Sequence, residues 1–429
     1  MFLLVVISAL MSVSLSSASL SAAPIDKPRY SELMDSWRSQ AIDRLWAERD
    51  RMGRTPLIRL ILPGFPHVDI LMKNESATKT GSLKHRYAWA LVMWAVVDGK
   101  VNANTTVYEA SAGNTAASEA YFCTLIGLKF IAVVPQSTEH EKVQRIESYG
   151  GRVLRTKPAQ ILVRAQQEAE RNGGFFMNQF ANSDRAEEFH ESGDCPREST
   201  NLMHEILLQM RKDAKLTVKK PHYFVHPAGT GGTITSVGRY AKRYDLPTKI
   251  VLVDSEFSVY YDYVINGKFI NESGASFVVG PGMAGTGFGS LGAVKLGETS
   301  SLLPTVIDRA IKVPDLASTA AMYVLKRRGL DAGASTGLNL LGVIHVAATA
   351  PYAQLPSGQR LTIVSSLPDS AANYVSSYLN QTWVAEKFIP HGGLPVFRCW
   401  MKVIEQSIDT GTDALIEGTK RCPKRRERT

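Results

Sequence analysis

Cysteine is scarce: Cys123, Cys195, Cys399 and Cys422 are the four cysteines in a chain of 429 residues. No two of them form a CxxC pair, which excludes a structural zinc site and a thioredoxin-type centre; no metal site is expected. Charged residues make up only 21% of the chain while 44% are hydrophobic, so disordered and fibrous classes are excluded and a large core is available. The GxGxxG spacing of a dinucleotide fold is missing, as is the Lys-Ser/Thr that completes a P-loop. RNA-binding aromatic motifs are missing too. The net charge of +9 does not restore a nucleic-acid role. Six Lys/Arg and one Glu between Lys420 and Thr429 account for +5 of it, so residues 407–429 read as a polar basic tail.

Met1 to Ile25 carries no charged side chain. An apolar opening that gives way to Ser, Ala and Leu reads as a secretory signal over residues 1–23, cleaved after Ala18 or slightly later. An uncleaved anchor is the alternative, since an uncharged run of this length suffices to span a bilayer. Secretion would give meaning to the Asn-x-Ser/Thr sequons at Asn74, Asn104, Asn271 and Asn380. In an oxidising lumen Cys399 and Cys422 could pair and tether the tail; buried free thiols are the alternative.

What is abundant is alternation. Short apolar runs, many of them carrying Val and Ile, at 68–72, 106–110, 129–134, 152–155, 174–179, 223–226, 249–253 and 361–364 read as strands. Helical patterns at 84–97, 115–126, 140–149, 159–171, 202–212 and 232–244 separate them. Strands spaced by such helices require right-handed crossovers and parallel-rich sheets covered by helices on both faces. There are more strands than one compact sheet usually holds. The expected fold class is therefore α/β with two domains and a cleft between them. A catalytic region is expected over 51–390, with a smaller mobile domain at about 100–186 and the larger domain from the remainder.

Ligands in open α/β sheets bind beyond the carboxyl ends of strands, and four loops in that position carry unusual residues. Thr80–Arg86 puts Lys84 at the start of an apolar helix. Alone it reads as a solvent-facing lysine, but dipole and burial would instead make it an available amine nucleophile. Ser111-Ala112-Gly113-Asn114-Thr115 makes either an anion nest or a plain helix cap. Gly229-Thr230-Gly231-Gly232-Thr233 opens another helix with backbone that a phosphate can approach closely. Gly333-Ala334-Ser335-Thr336-Gly337 is the fourth, and by itself reads as an ordinary capped helix.

A phosphate cradle, an activatable lysine and a carboxylate-sized nest on one scaffold suggest pyridoxal phosphate. These segments resemble, in order and spacing, the GSVKDR-, TSGNT-, GTGGT- and GISSG-type motifs of the cysteine synthase and cystathionine β-synthase family. Asn178-Gln179-Phe180 is similar to that family's QQF strand end. The resemblance spans about Thr55 to Phe388 and implies the two-domain tryptophan synthase β-like PLP fold (fold type II), usually a homodimer acting on a small amino-acid substrate. It implies that Lys84 forms the imine with the cofactor aldehyde and then acts as the α-proton base. By the same resemblance Asn114 bonds the phenolic oxygen, and Gly229, Thr230, Gly231, Gly232 and Thr233 take the phosphate. Ser335 faces the pyridine nitrogen, while Ser111, Gly113, Thr115 and Gln179 hold the substrate carboxylate. A neutral hydroxyl at the ring nitrogen leaves a weaker electron sink, which suits β-elimination or β-replacement over transamination. The sequence departs from the family at His85, at Ala112 and in Pro281–Phe288.

The expected activity is β-elimination or β-replacement on cysteine or an activated serine, releasing or incorporating sulfide. Ser82-Leu83-Lys84-His85-Arg86 leans towards a cysteine desulfhydrase-like branch. The alternatives are a serine/threonine dehydratase or racemase of the same fold, and a non-catalytic binding or sensor protein.

Overall fold

Apolar runs of two to seven extended residues, most of them followed by a helix, form ten strands in two sheets among the described residues. The computed structural model describes residues 32–183, 198–267, 282–288, 300–351 and 355–422. The signal or anchor at 1–23, Cys195, Asn271, Pro281 and the tail end at 423–429 lie outside the described residues. In chain order the strands are β1 (Leu57–Leu60), β2 (Val68–Asn74), β3 (Thr106–Glu109), β4 (Lys129–Pro135) and β5 (Arg152–Thr156). They continue with β6 (Phe175–Phe176), β7 (Tyr223–His226), β8 (Lys249–Ser255), β9 (Arg309–Val313) and β10 (Leu361–Leu367). The larger sheet runs β1-β2-β10-β7-β8-β9 and the smaller β5-β4-β3-β6. Every pairing is parallel except β1 with β2.

Successive residues of one strand serve opposite layers. Val225, Val251, Val253 and Ile363 point into a core with helices Asp315–Arg327, Ala334–Thr349 and Gly393–Thr410. Their neighbours Phe224, Ile250, Leu252 and Val364 pack on the other face against helices Leu202–Lys212 and Gly232–Arg243. Each such side chain contributes about 1.5–3 kcal/mol on burial, so neither face of the sheet tolerates exposure.

Helix Lys84–Val97 is apolar all round because it is wedged inside the molecule, with every residue from His85 to Val96 buried. It shares a core with helix Asn114–Leu125 and strands β3 and β4. Helix Glu32–Met52 joins this core through Ala41 and Leu45, and Trp89 Nε1 donates to the Leu45 carbonyl at 2.8 Å. This core therefore draws on residues outside 100–186. A buried ionic cluster ties it to the larger one. Arg86 donates to Glu205 Oε1 at 2.6 Å and to Glu75 Oε1 at 3.2 Å, with Lys73 3.0 Å and Arg49 2.6 Å from Glu205. Burial works against ionised Glu205, yet Arg86, Lys73 and Arg49 outweigh it and hold the carboxyl at about 2.

Two expectations need correction. The strand expected over 174–179 keeps only Phe175 and Phe176 in the ladder. Asn178 adopts φ +48, which turns the chain out of the sheet. The tail expected from 407 is helical as far as Arg421. Gly411 at φ +78 ends helix Gly393–Thr410, and the Asp413 carboxylate then caps helix Ala414–Arg421 by accepting from Leu415 N and Ile416 N. Ala414 and Leu415 are buried, and Cys399 is disulfide-bonded to Cys422 with the Cα atoms 5.7 Å apart. Cys123 is a buried free thiol.

Candidate active site

The cleft between the sheets holds a cavity of about 530 Å³, its open mouth included, and the sequence-derived residues converge on it from both sides. Lys84, Asn114, Gly229, Thr230, Gly231, Gly232, Thr233 and Ser335 all line it. Ser111, Gly113, Thr115 and Gln179 flank it at the start of helix Asn114–Leu125, where Thr115 Oγ1 donates to Gln179 Oε1 at 2.7 Å. Gly113 N donates to Ser111 Oγ at 3.3 Å, and nothing lies within 4 Å of where a Gly113 Cβ would project.

Lys84 sits where it does because its loop is pinned to the larger sheet. Leu83 N donates to the Pro368 carbonyl at 2.7 Å, and Ser82 bridges to Asp369 just past the end of β10. Burial lowers the Lys84 amine to about 8, against the opposing pull of Glu119 and Glu109. Both carboxyls are buried and pushed up by that burial, Glu109 to about 7; Glu109 accepts from Gln179 N and Ala110 N. Neither oxygen of Glu119 has a hydrogen-bond partner among the described residues.

The glycine-rich loop is built for close approach. Gly231 has φ +91, and a Cβ there would stand 2.2 Å from Leu302 N; a Cβ on Gly229 would stand 2.6 Å from the Gly285 carbonyl oxygen. The backbone N–H groups of Gly229, Thr230, Gly231 and Thr233 find no acceptor among the described residues. They meet at the N-terminus of helix Gly232–Arg243, which favours an anion. Orphaned buried atoms on cavity-lining residues, Ser82 Oγ, His226 Nε2 and Asp369 Oδ1, likewise point to a polar guest. An open anion cradle, a lysine of lowered pKa and a hydroxyl at Ser335 fit pyridoxal phosphate.

The departures from the family fall mostly outside the cavity. His85 points into the smaller core against the rings of Tyr121 and Phe122, at 5.5 and 4.7 Å, where burial lowers it to about 3 and keeps it neutral. Ala112 packs against that same core. Ala284, Gly285 and Thr286 do line the cavity, and Gly287 N bonds the Ala228 carbonyl at 2.7 Å, so this loop walls the phosphate cradle.

Comparison with known proteins agrees with this geometry. Residues 49–366 match the family described as pyridoxal-phosphate dependent enzyme, and the chain belongs to that family. It is an enzyme of the cysteine synthase and cystathionine β-synthase group, with the tryptophan synthase β-like fold and pyridoxal phosphate as cofactor. A Caenorhabditis elegans protein named for pyridoxal-phosphate dependence is 49% identical over 389 residues, covering 90% of this chain and 89% of its own. An L-cysteine desulfhydrase of Mycobacterium tuberculosis is 35% identical over 368 residues, covering 84% and 93%. Among solved structures, O-ureido-L-serine synthase superposes with a TM-score of 0.60 at 23% identity, covering 77% of this chain and 94% of that one. O-acetylserine dependent cystathionine β-synthase from Helicobacter pylori gives 0.58 at 24%, covering 77% and 97%. At these identities the two structures speak to the fold.

Sequence reasoning missed four residues. Asp369 and Tyr374 line the cavity, and Tyr374 OH donates to Asp369 Oδ2 at 2.6 Å. The signal for Asp369 was available, since it lies just beyond the carboxyl end of a parallel strand. His226 lines the cavity with its ring over Phe224. Its Nδ1 meets the Pro227 carbonyl at 2.7 Å; a carbonyl only accepts, so Nδ1 carries the proton. Arg145, on the helix expected over 140–149, reaches Asn114 at 2.8 Å.

Proposed function

We propose that the protein catalyses β-elimination or β-replacement on cysteine or an activated serine, with cysteine desulfhydration the leading reaction. The observation that carries this is Ser335, which brings a neutral hydroxyl, not a carboxylate, to the cavity wall from the first turn of its helix. The bound cofactor supplies an electron sink for bond breaking at the substrate Cα, a weak sink when only a hydroxyl attends its ring nitrogen. Gly229 to Thr233 would hold its phosphate through backbone N–H groups, and Asn114 its phenolic oxygen. The start of helix Asn114–Leu125, with Ser111, Thr115 and Gln179, would receive the substrate carboxylate. Lys84, whose amine becomes predominantly neutral as the pH rises above its lowered pKa, would take the Cα proton and return it to the leaving sulfur. The 35% identity to a protein named L-cysteine desulfhydrase supports the choice of substrate. We further propose a homodimer in the secretory pathway. The uncharged N-terminal segment, the Cys399–Cys422 bond and the exposed sequon residue Asn104 support that address.

The test is the product profile of purified protein with pyridoxal phosphate. Cysteine should give sulfide, pyruvate and ammonia. Pyruvate from serine with none from cysteine would favour the dehydratase, and a spectral change without turnover of either amino acid or of O-acetylserine would favour a sensor. A mobility shift on deglycosylation of secreted material would check the address; a fully reduced, unglycosylated chain would oppose it.

A further inference from the structure

Four side chains close a hydrogen-bonded ring across the mouth of the cleft. Arg145 Nη1 donates to Asn114 Oδ1 at 2.8 Å and to Asn373 Oδ1 at 3.0 Å. On the opposite side Asp369 Oδ2 accepts from Asn114 Nδ2 at 2.8 Å and from Asn373 Nδ2 at 3.4 Å. Arg145 and Asn114 belong to the smaller unit, Asp369 and Asn373 to the larger. The second guanidinium nitrogen of Arg145 also donates to the Thr80 carbonyl, in the loop that carries Lys84.

The chemistry of the ring admits one arrangement. An asparagine side chain has an acceptor end and a donor end of nearly equal shape, so it flips readily unless its neighbours discriminate. A guanidinium has only donors and therefore demands the oxygen. Asp369 Oδ2 accepts, whether or not the orphaned Oδ1 carries a proton, and therefore demands the NH₂. Asn114 meets both demands at once, and the flipped amide would fail both. With one N–H committed to Asp369, its second N–H is the donor left for the cavity that Asn114 lines.

We propose that Arg145 is a positioning residue which, through this ring, locks the Asn114 amide with its free N–H towards the cofactor oxygen and ties the Lys84 loop to the same point. The consequence for the cofactor rests on the function proposed above; the ring does not. The experiment is a double-variant cycle of Arg145→Met and Asn114→Ala on the holoenzyme, read by the visible spectrum of the bound pyridoxal phosphate and by its dissociation constant. Loss of the charge-assisted hydrogen bonds that Arg145 donates to Asn114, Asn373 and the Thr80 carbonyl should weaken retention by about tenfold or more. Arg145→Met should also shift the visible band in the direction Asn114→Ala does, the loss in the double variant should fall short of the product of the two single losses, and Arg145→Lys should recover part of the loss. A wild-type spectrum and dissociation constant in Arg145→Met, with only a lower melting temperature, would overturn the proposal, as would single effects that multiply in the double variant. The same cycle on unloaded protein, read by thermal unfolding, should be non-additive. Additive shifts there would overturn the ring itself, whereas wild-type protein that takes up no pyridoxal phosphate would sink the proposed function and leave this second readout to decide the ring.

Discussion

Lys84 can attack an aldehyde only as the free amine, which makes the pH dependence of cofactor loading a direct reading of its environment. Burial brings its pKa from 10.5 to about 8. At pH 7 the ordinary amine is about 0.03% neutral and the lowered one about 10% neutral, a gain of roughly 300-fold in reactive species. The perturbation is a pH series from 6 to 10 on unloaded protein mixed with pyridoxal phosphate. The assay is growth of the visible adduct band, with borohydride reduction and peptide mass spectrometry to identify the modified residue. Loading should accelerate about tenfold per pH unit at the acid end and level off near 8. Lys84→Arg, which has no neutral form in this range, should give no adduct. A rate still climbing tenfold per unit at pH 10 would mean that the amine behaves as an exposed lysine, and the account of burial would be wrong.

Gly231→Ala should destabilise the loop by at least about 1–3 kcal/mol, because the residue needs φ +91 and its new Cβ would lie 2.2 Å from Leu302 N; thermal unfolding and cofactor retained after gel filtration measure this, and an unchanged variant would refute it. Glu205→Gln should lower stability at neutral pH by about 3–5 kcal/mol by stranding buried Arg86, Lys73 and Arg49. With the Glu205 pKa down from 4.5 to about 2, its stabilisation is complete above about 4.5 and disappears as the pH falls towards 2. Urea unfolding at several pH values should therefore show a flatter acid response in Glu205→Gln, and an equal slope in both proteins would contradict the assignment. Reducing Cys399–Cys422, whose sequence separation is 23 residues, should cost about 3 kcal/mol; a reductant that leaves the unfolding midpoint unmoved would argue that the bond does not form.

Several strongly apolar elements were readable in the sequence. Leu202–Lys212 and Tyr223–His226 form as their apolar patterns indicate, and Lys84–Val97 is helical over the length expected of a buried apolar run. Some elements that bury only a stripe were missed. Helix Glu32–Met52 offers Ala41 and Leu45 among charged neighbours, and β9 carries Arg309 at an exposed and Lys312 at a partly exposed position. The glycine-rich loops were legible because close backbone approach restricts them to small residues. Arg145 was not, because its partners lie 31, 65 and 228 positions away in the chain, and only the closed fold brings them together. Asp369 sits between these cases. Strand β10 runs three residues further than its most apolar stretch, and following it to Leu367 would have reached that carboxylate.

The lysine-bearing helix grows from one core and the anion cradle from another, so a coenzyme held by both ends is a rivet as well as a reagent. A ligand that binds only the assembled chain adds RT ln(1 + [L]/Kd) to its stability, about 4 kcal/mol at a thousandfold excess over Kd. Nutritional supply of the coenzyme would then govern how much of this enzyme survives quality control, quite apart from how fast each surviving copy turns over.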